Sequence, residues 1–155
     1  MTLYRRILMA YDGTEHGRLA LEQGAEVART NDAEVHLLAV LRLPASLGFM
    51  QEGYPQQWID EQMEAVRKTL DEGVSRLRDA GLEVTGYQRE GEPVIEISHL
   101  ARELDVDLVV VGHTPRGRLA RWWHGSVGTT LLDELRCSIL VVMPREGEPG
   151  ASRDA

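Results

Sequence analysis

The sequence predicts an α/β protein built on a single doubly wound, five-stranded parallel sheet with helices on both faces. Short runs of consecutive apolar residues alternate with longer segments whose apolar residues recur every three or four positions. Strands that are apolar on consecutive positions, and that are separated by helices, are typical of a parallel sheet covered on both sides.

The first half of the chain predicts two strands and two helices. The apolar run 4–11 is the first strand, and the turn cluster Asp12-Gly13-Thr14 separates it from a helix over about 15–30, which Asn31 and Asp32 end. The run 34–43 is the second strand. Residues 43–56, with two prolines and two glycines, predict a long loop before an amphipathic helix over about 57–80.

The second half predicts three more strands and two more helices. In order, they are a strand at 82–89, a turn at 90–93, a helix opening near Pro93, a strand at 108–111, a helix at 126–135 and a strand at 138–142. The last strand is expected at an edge of the sheet, where an exposed ladder of backbone groups invites pairing.

Length and composition exclude several classes of function. The 155 residues fit one domain, which we expect at 1–144, with a disordered polar tail at 145–155. A formal charge of −8 argues against nucleic-acid binding, which needs clustered Lys and Arg. The single cysteine, Cys137, excludes an intrachain disulfide and is expected to be a small buried hydrophobe. Without an apolar run of membrane-spanning length, the sequence favours a cytoplasmic protein.

Residues 109–142 carry the most informative pattern: an apolar strand, a glycine-rich loop, a helix opening on Gly125-Ser126 and a second apolar strand. Free backbone N–H groups and the helix dipole converge where such a loop enters a helix, so a phosphate is the expected occupant. Ligands of doubly wound sheets bind beyond the carboxyl ends of the strands. Three segments end there: Asp12, residues 40–42 and the glycine-rich loop.

The loop spacing resembles a nucleotide-binding signature of the universal stress protein family. That signature is glycine, two residues, glycine, nine residues, then glycine and Ser or Thr. This chain has Gly112, two residues, Pro115, nine residues, then Gly125 and Ser126. The stretches ILMAYDGTEHG, HLLAV, GEP, VDLVVVGH, GSVGTTLL and CSILVV extend the resemblance to about Pro144.

The resemblance implies a Rossmann-like fold with strand order 3-2-1-4-5, of the adenine nucleotide alpha-hydrolase-like type. It also implies a small-ligand sensor that binds ATP or AMP, with or without Mg²⁺, and acts in the stress response as a homodimer paired through the last strand. One branch of the family has lost the nucleotide. A dimeric interaction or scaffold protein without a cofactor is therefore the alternative.

Carried over by position, Asp12 would meet the ribose or the adenine, the backbone of Val40 would bind the adenine edge, and the glycine-rich loop would hold phosphates. The nucleotide-binding positions implied are Ala10, Asp12, Val40, Val111, Gly112, Pro115, Arg116, Gly117, Gly125, Ser126 and Val127. Two of them have a purely structural alternative: Asp12 as a turn or helix cap, and Ser126 as an N-cap.

Pro115 departs from the family pattern, where the second glycine stands. Proline fixes φ and has no N–H, so this position cannot donate to a phosphate. Gly117 lies two residues further on, and Arg116, Arg118 and Arg121 either replace the lost donor with charge or form a solvated loop face.

The sequence offers no support for catalysis or for a metal site. No Ser-His-Asp or Cys-His arrangement stands out, and His113 and His124 lack partners at ligand spacing. A nucleotide-hydrolysing enzyme would need a base and a metal-binding carboxylate, for which Asp12 is the lone candidate. A response-regulator-like receiver would need clustered acids after the first strand and a late lysine. We therefore expect a protein that is not an enzyme.

Overall fold

The computed structural model describes residues 2–42, 53–113 and 131–145. Strands and helices alternate along these residues, as the hydrophobic pattern predicts. Their bounds are β1 Arg6–Ala10, α1 Glu15–Asn31, β2 Glu34–Arg42, α2 Gln56–Asp79, β3 Val84–Gly91, α3 Pro93–Glu103, β4 Leu108–Gly112, α4 Leu131–Glu134 and β5 Ser138–Val142.

The strands form one five-stranded sheet in the order β3-β2-β1-β4-β5, and every neighbouring pair is parallel. The predicted fold class and strand order are both confirmed, and β5 is an edge strand as expected. The order reverses between β1 and β4, because the chain runs outward through β2 and β3 and then crosses back. Such a reversal opens a crevice at the carboxyl ends of the central strands.

Each face of the sheet carries its own core, because successive strand residues point to opposite sides. Ile7 and Met9 of β1 pack with α1 and α2, whereas Leu8 and Ala10 pack with α3 and α4. All four side chains are buried, and each fully buried aliphatic side chain stabilises the fold by roughly 2 kcal/mol. The two cores hold the central strands rigidly, so the strand ends at the crevice are fixed in position.

Helix α1 begins and ends at side chains that satisfy its free backbone groups. Thr14 is the N-cap, and its Oγ1 accepts a helix N–H at 3.1 Å. At the other end the Asn31 side-chain amide donates to the carbonyl of Val27 at 2.9 Å, and Asp32 adopts a left-handed conformation with φ 52°. The prediction that Asn31 and Asp32 end this helix is confirmed.

Helix α2, with 24 residues, is amphipathic along its length. Its buried stripe packs on β2 and β3 and includes Leu70, Val74 and Leu77, while Gly81 follows the helix with φ 87°. Gly81 has the conformation that ends a helix, as the sequence suggests. Among the helices that the structure describes, none is both long and apolar enough to cross a bilayer.

Several predicted boundaries are wrong by a few residues. Strand β3 continues through Glu90 and Gly91, which were expected in a turn, because both still pair with the end of β2. Strand β4 extends to Gly112, and α2 already begins at Gln56, inside the predicted loop. Only residues 131–134 of the predicted last helix are described as helical, and residues 126–130, like loop residues 43–52 and tail residues 146–155, lie outside the described parts.

Candidate functional site

The carboxyl ends of β2, β1 and β4 lie side by side at the reversal of strand order. Ala10 pairs with Leu38 of β2, and Met9 pairs with Val110 of β4. Asp12 lies two residues past the end of β1, the strand between β2 and β4. The three segments that the sequence places at this edge do therefore meet there, as far as the structure describes them.

Strand β2 continues past the end of β1 and presents backbone groups to the crevice. The N–H of Tyr11 donates to the carbonyl of Leu38 at 2.9 Å, so Leu38 points toward β1. Alternate residues of a strand point their backbone groups to the same side, so Val40 points the same way. Pairing with β1 stops at Ala10, and no described strand pairs with β2 on this side beyond it. Val40 thus offers one donor and one acceptor to a ligand.

The first loop holds the Asp12 carboxylate in one orientation. Asp12 Oδ1 accepts the backbone N–H of Thr14 at 3.1 Å and its hydroxyl at 2.6 Å. Gly13, between them, has φ 80°, a conformation that side chains other than glycine rarely adopt. The helix cap is Thr14, so of the two structural roles considered for Asp12 the structure shows the turn and not the cap.

Gly112 packs directly on the first turn of α1. A Cβ built on Gly112 would lie 2.7 Å from the carbonyl oxygen of His16. This is main chain, which cannot rotate away, so the close approach of β4 to α1 requires a glycine here. The glycine that the resemblance assigns to phosphate binding therefore has a packing role as well.

A polar cluster beneath the first loop joins α1 to α2. The Tyr11 hydroxyl donates to Glu72 Oε2 at 2.7 Å, while Arg18 and Arg76 donate to Glu72 Oε1 at 3.1 and 2.7 Å. Burial raises the pKa of Tyr11, and its bond to Glu72 raises it further. Burial would raise the pKa of Glu72, but the hydrogen bonds from Arg76, Tyr11 and Arg18 outweigh it and hold that pKa below its ordinary value.

The structure describes five of the predicted site residues. Ala10 and Val111 are 3% and 1% exposed, so their side chains belong to the core and only their backbone can face a ligand. Asp12 and Val40 lie at the strand ends described above, and Gly112 is buried against α1. The other predicted positions lie outside the described residues: Pro115, Arg116, Gly117, Gly125, Ser126 and Val127.

Sequence analysis missed Tyr11 and Glu72 as residues that support the site, and it treated Thr14 only as part of a turn. Thr14 carries a signal that could have been used, since a threonine before a helix is a preferred N-cap. Glu72 carries none, because a glutamate on a long charged helix is ordinary and its partners come from a distant part of the chain. Tyr11 reads simply as the end of an apolar strand.

The opposite end of the sheet carries a charged groove of about 1120 Å³. Its charged lining consists of Arg5, Arg6, Glu34, Asp105, Asp107 and Arg136. Asp107 is occupied structurally, since its carboxylate accepts the backbone N–H groups of Arg5 and Arg6 at 2.9 to 3.2 Å.

Cys137 also lines this groove and is half-buried, so the expectation of a fully buried thiol is wrong. It still packs against the core. Burial raises the pKa of its thiol, and nearby Asp107 raises it further, so the thiol stays protonated at neutral pH.

The histidines of the described residues show no metal chemistry. His36 is 3% exposed, and its Nδ1 lies 3.0 Å from the Tyr87 hydroxyl, which gives it a structural role. Across residues 2–42, 53–113 and 131–145, no three His, Cys, Asp or Glu side chains cluster so as to hold a metal ion.

The fold defines a class: a one-sheet α/β protein whose strand order reverses between β1 and β4. The model of the universal stress protein family matches residues 3–143, and the chain belongs to that family. A universal stress protein of Methanocaldococcus jannaschii is 27% identical over 140 residues, which cover 90% of this chain and 82% of that protein.

Solved structures of the family share the fold. A universal stress protein of Archaeoglobus fulgidus in complex with dAMP has a TM-score of 0.63 at 23% identity, covering 90% of this chain and 98% of that one. A universal stress protein in complex with cAMP has a TM-score of 0.64 at 21% identity, covering 90% and 97%. At these identities the likeness shows the fold alone.

Proposed function

We propose that this protein is a regulator of the stress response that binds ATP or AMP in the crevice at the carboxyl end of the sheet, and that it acts as a cytoplasmic homodimer. It is a binding protein in this proposal and not an enzyme. The two structural neighbours with bound dAMP and cAMP support an adenine nucleotide as the ligand.

The observation that carries the proposal is the backbone of Val40. Its N–H and C=O extend beyond the last pair with β1, where they match the acceptor and donor of an adenine edge. Asp12 stands beside it at the end of β1, and a carboxylate accepts hydrogen bonds from ribose hydroxyls. Backbone at Ala10 and Val111 completes the walls of this pocket.

The phosphates extend in this proposal from Gly112 into residues 115–127, where Gly125, Ser126 and Val127 supply N–H donors. Pro115 removes one donor that a glycine would give. A monophosphate needs fewer donors than a triphosphate, so AMP is favoured over ATP. Mg²⁺, when present, would bind through the phosphates of ATP.

A nucleotide-free dimeric interaction protein is the second candidate, and Pro115 is the residue that favours it. The two candidates share the dimer. Support for the dimer comes from β5, an edge strand whose central side chains are half-exposed, and from Met143, which is 52% exposed just beyond it. An uncovered apolar edge favours pairing with a second copy.

Identification of a co-purified ligand tests the proposal. Protein purified without added nucleotide is denatured and its supernatant is examined for adenine absorbance, while calorimetry measures AMP and ATP binding to stripped protein. Asp12→Ala and Gly125→Val should both weaken binding sharply, because one removes the sugar contact and the other projects a branched side chain toward the phosphates. Asp79→Ala is the matched control, since Asp79 is exposed at the end of α2.

Absence of binding by the wild type, together with recovery of binding in Pro115→Gly, would establish the nucleotide-free candidate. Unchanged affinity in both Asp12→Ala and Gly125→Val would remove this crevice from the ligand site. For the dimer, sedimentation of the wild type as a monomer at micromolar concentration would contradict pairing through β5. Leu140→Pro removes a ladder donor and should give monomers or insoluble protein.

A further inference from the structure

We infer that Thr14 is a positioning residue that turns Asp12 so that only its Oδ2 faces the ligand, and that this fixed carboxylate makes the site select nucleotides that carry the ribose hydroxyl it contacts. The inference rests on the proposed nucleotide site and adds to it the residue that sets sugar specificity.

The Thr14 hydroxyl has a single arrangement that satisfies both of its neighbours. Its oxygen accepts the N–H of Gly17 at 3.1 Å, so its proton is free for Asp12 Oδ1 at 2.6 Å. That distance is typical of a hydroxyl bound to an ionised carboxylate. The backbone N–H of Thr14 donates to the same Oδ1 at 3.1 Å.

Packing encloses the same oxygen. A Cβ built on Gly17 would lie 2.8 Å from Asp12 Oδ1, so the first turn of α1 lies directly against it. With two donors and a helix around it, Oδ1 has no room for a sugar hydroxyl. Oδ2 has no recorded partner within the described residues, and it is the oxygen left for the ligand.

A carboxylate held in one orientation discriminates better than a mobile one. The Asp12 side chain is already ordered in the folded protein. A ribose hydroxyl can therefore bind Oδ2 without the loss of side-chain entropy that ordering Asp12 would require. A sugar that lacks the contacted hydroxyl leaves an oriented carboxylate oxygen without its donor, which is penalised more strongly. The predicted signature is therefore a ratio of affinities between two nucleotides that differ by one hydroxyl.

The experiment compares AMP with 2′-deoxyAMP and 3′-deoxyAMP on the wild type, Thr14→Ser, Thr14→Asp and Asp12→Ala, by calorimetry. Serine keeps both bonds of the hydroxyl. Aspartate caps the helix as well as threonine does but has no proton to give to Asp12, so it separates the positioning role from the cap. Its added charge affects all three nucleotides alike and cancels in the ratio.

We expect the wild type and Thr14→Ser to prefer AMP over one deoxynucleotide by about tenfold, as for one hydrogen bond to a charged group. In Thr14→Asp and in Asp12→Ala the ratio should fall to near unity, and Thr14→Asp should melt somewhat below the wild type because its carboxylate lies against that of Asp12. If Thr14→Asp folds poorly, Thr14→Ala provides the same test. It also lacks the hydroxyl bond, so we expect the same ratio.

An unchanged ratio in folded Thr14→Asp or Thr14→Ala would overturn the inference while leaving nucleotide binding intact. Equal affinities for the three nucleotides in the wild type would overturn it as well. Wild-type protein that binds none of them would contradict the proposed function itself, and the inference would fall with it.

Discussion

The two ends of the sheet differ sharply in charge, and the more highly charged end lies opposite the crevice proposed to bind the nucleotide. At the amino end of the strands, arginine and carboxylate side chains line a wide groove. At the carboxyl end, β1 and β4 finish on the small or apolar residues Ala10, Val111 and Gly112, with Asp12 just beyond.

Hydrogen bonds and ion pairs account for part of the charge in the groove at the amino end. Helices α1 and α3 run opposite to the strands, so their carbonyl ends lie at the amino end of the sheet, where they attract guanidinium groups. Arg6 Nη1 donates to the carbonyl of Leu104 at 3.4 Å and lies 3.8 Å from Asp105. Arg6 Nε lies 3.6 Å from Glu34. These charges satisfy one another and the helix end. At the carboxyl end, no described strand pairs with Val40 on the β1 side, and Asp12 Oδ2 accepts no hydrogen bond from the described residues.

The largest effect is expected for Gly112→Ala, at the carboxyl end. Its Cβ would meet the His16 carbonyl oxygen at 2.7 Å, so β4 and α1 must separate. We expect a loss of about 3 kcal/mol in the free energy of unfolding, in the upper part of the range for overpacking, as measured by urea denaturation.

Gly86→Ala is the matched control for that variant. Its Cβ would meet side chains of Val74 and Leu70 at 3.2 Å or more, and side chains can adjust. We expect a cost below about 1 kcal/mol there. Equal stability losses in the two variants would mean that β4 does not pack tightly on α1. Gly112 would then have no packing role beside its proposed role in ligand binding.

Asp107→Asn probes the amino end and is expected to have the next largest effect. Its carboxylate accepts three hydrogen-bond contacts from the backbone at the start of β1, and an amide keeps one acceptor oxygen. A loss of about 1.5 kcal/mol follows from the strength of bonds to a charged group. Asp105→Asn is the control, because the Asp105 side chain is 96% exposed and its ion pair with Arg6 Nη1 is long, at 3.8 Å. Similar losses for both variants would contradict a structural role for Asp107.

The pattern of the sequence predicts the sheet more accurately than it predicts the site. Runs of consecutive apolar residues mark the strands of a parallel sheet, which is why β4 and β5 are found where expected. The error at Gly91 arises because its pairing with Arg42 is tertiary, and the local sequence reads as a turn. Pairing partners outside the local window decide such ends.

At the site, the sequence indicates Asp12 and Val40 through the family resemblance, but not what orients them. The enclosure of Asp12 Oδ1 depends on Gly17, one helical turn into α1. The Tyr11–Glu72 bond joins residues 61 positions apart. Contacts between distant residues produce no periodic pattern in the sequence, so they can be identified only in the folded structure.

A smaller effect, dependent on pH, is expected for Glu72→Gln. The pKa of Glu72 is held below its ordinary value of 4.5, so the stability that its carboxylate contributes is present above that value and is lost as the pH falls through the lower folded pKa. The pairs are partly exposed, which limits the difference between wild type and variant to about 1 kcal/mol at neutral pH. Urea denaturation along a pH series should show the two converging in acid. A stability difference between wild type and variant that grows as the pH falls would contradict this prediction.

The smallest effect is expected for the double variant Arg5→Gln, Arg136→Gln, in the charged groove. Among the described residues neither guanidinium has a recorded partner, so we expect the free energy of unfolding to change by less than about 0.5 kcal/mol. If the carboxyl end binds the nucleotide, calorimetry should give AMP and ATP affinities within about twofold of the wild type, because exposed charges this far from a ligand are screened by salt. A large loss of affinity in the double variant would instead place the phosphates in the groove, and backbone donors at the strand ends would no longer explain where this fold binds its ligand.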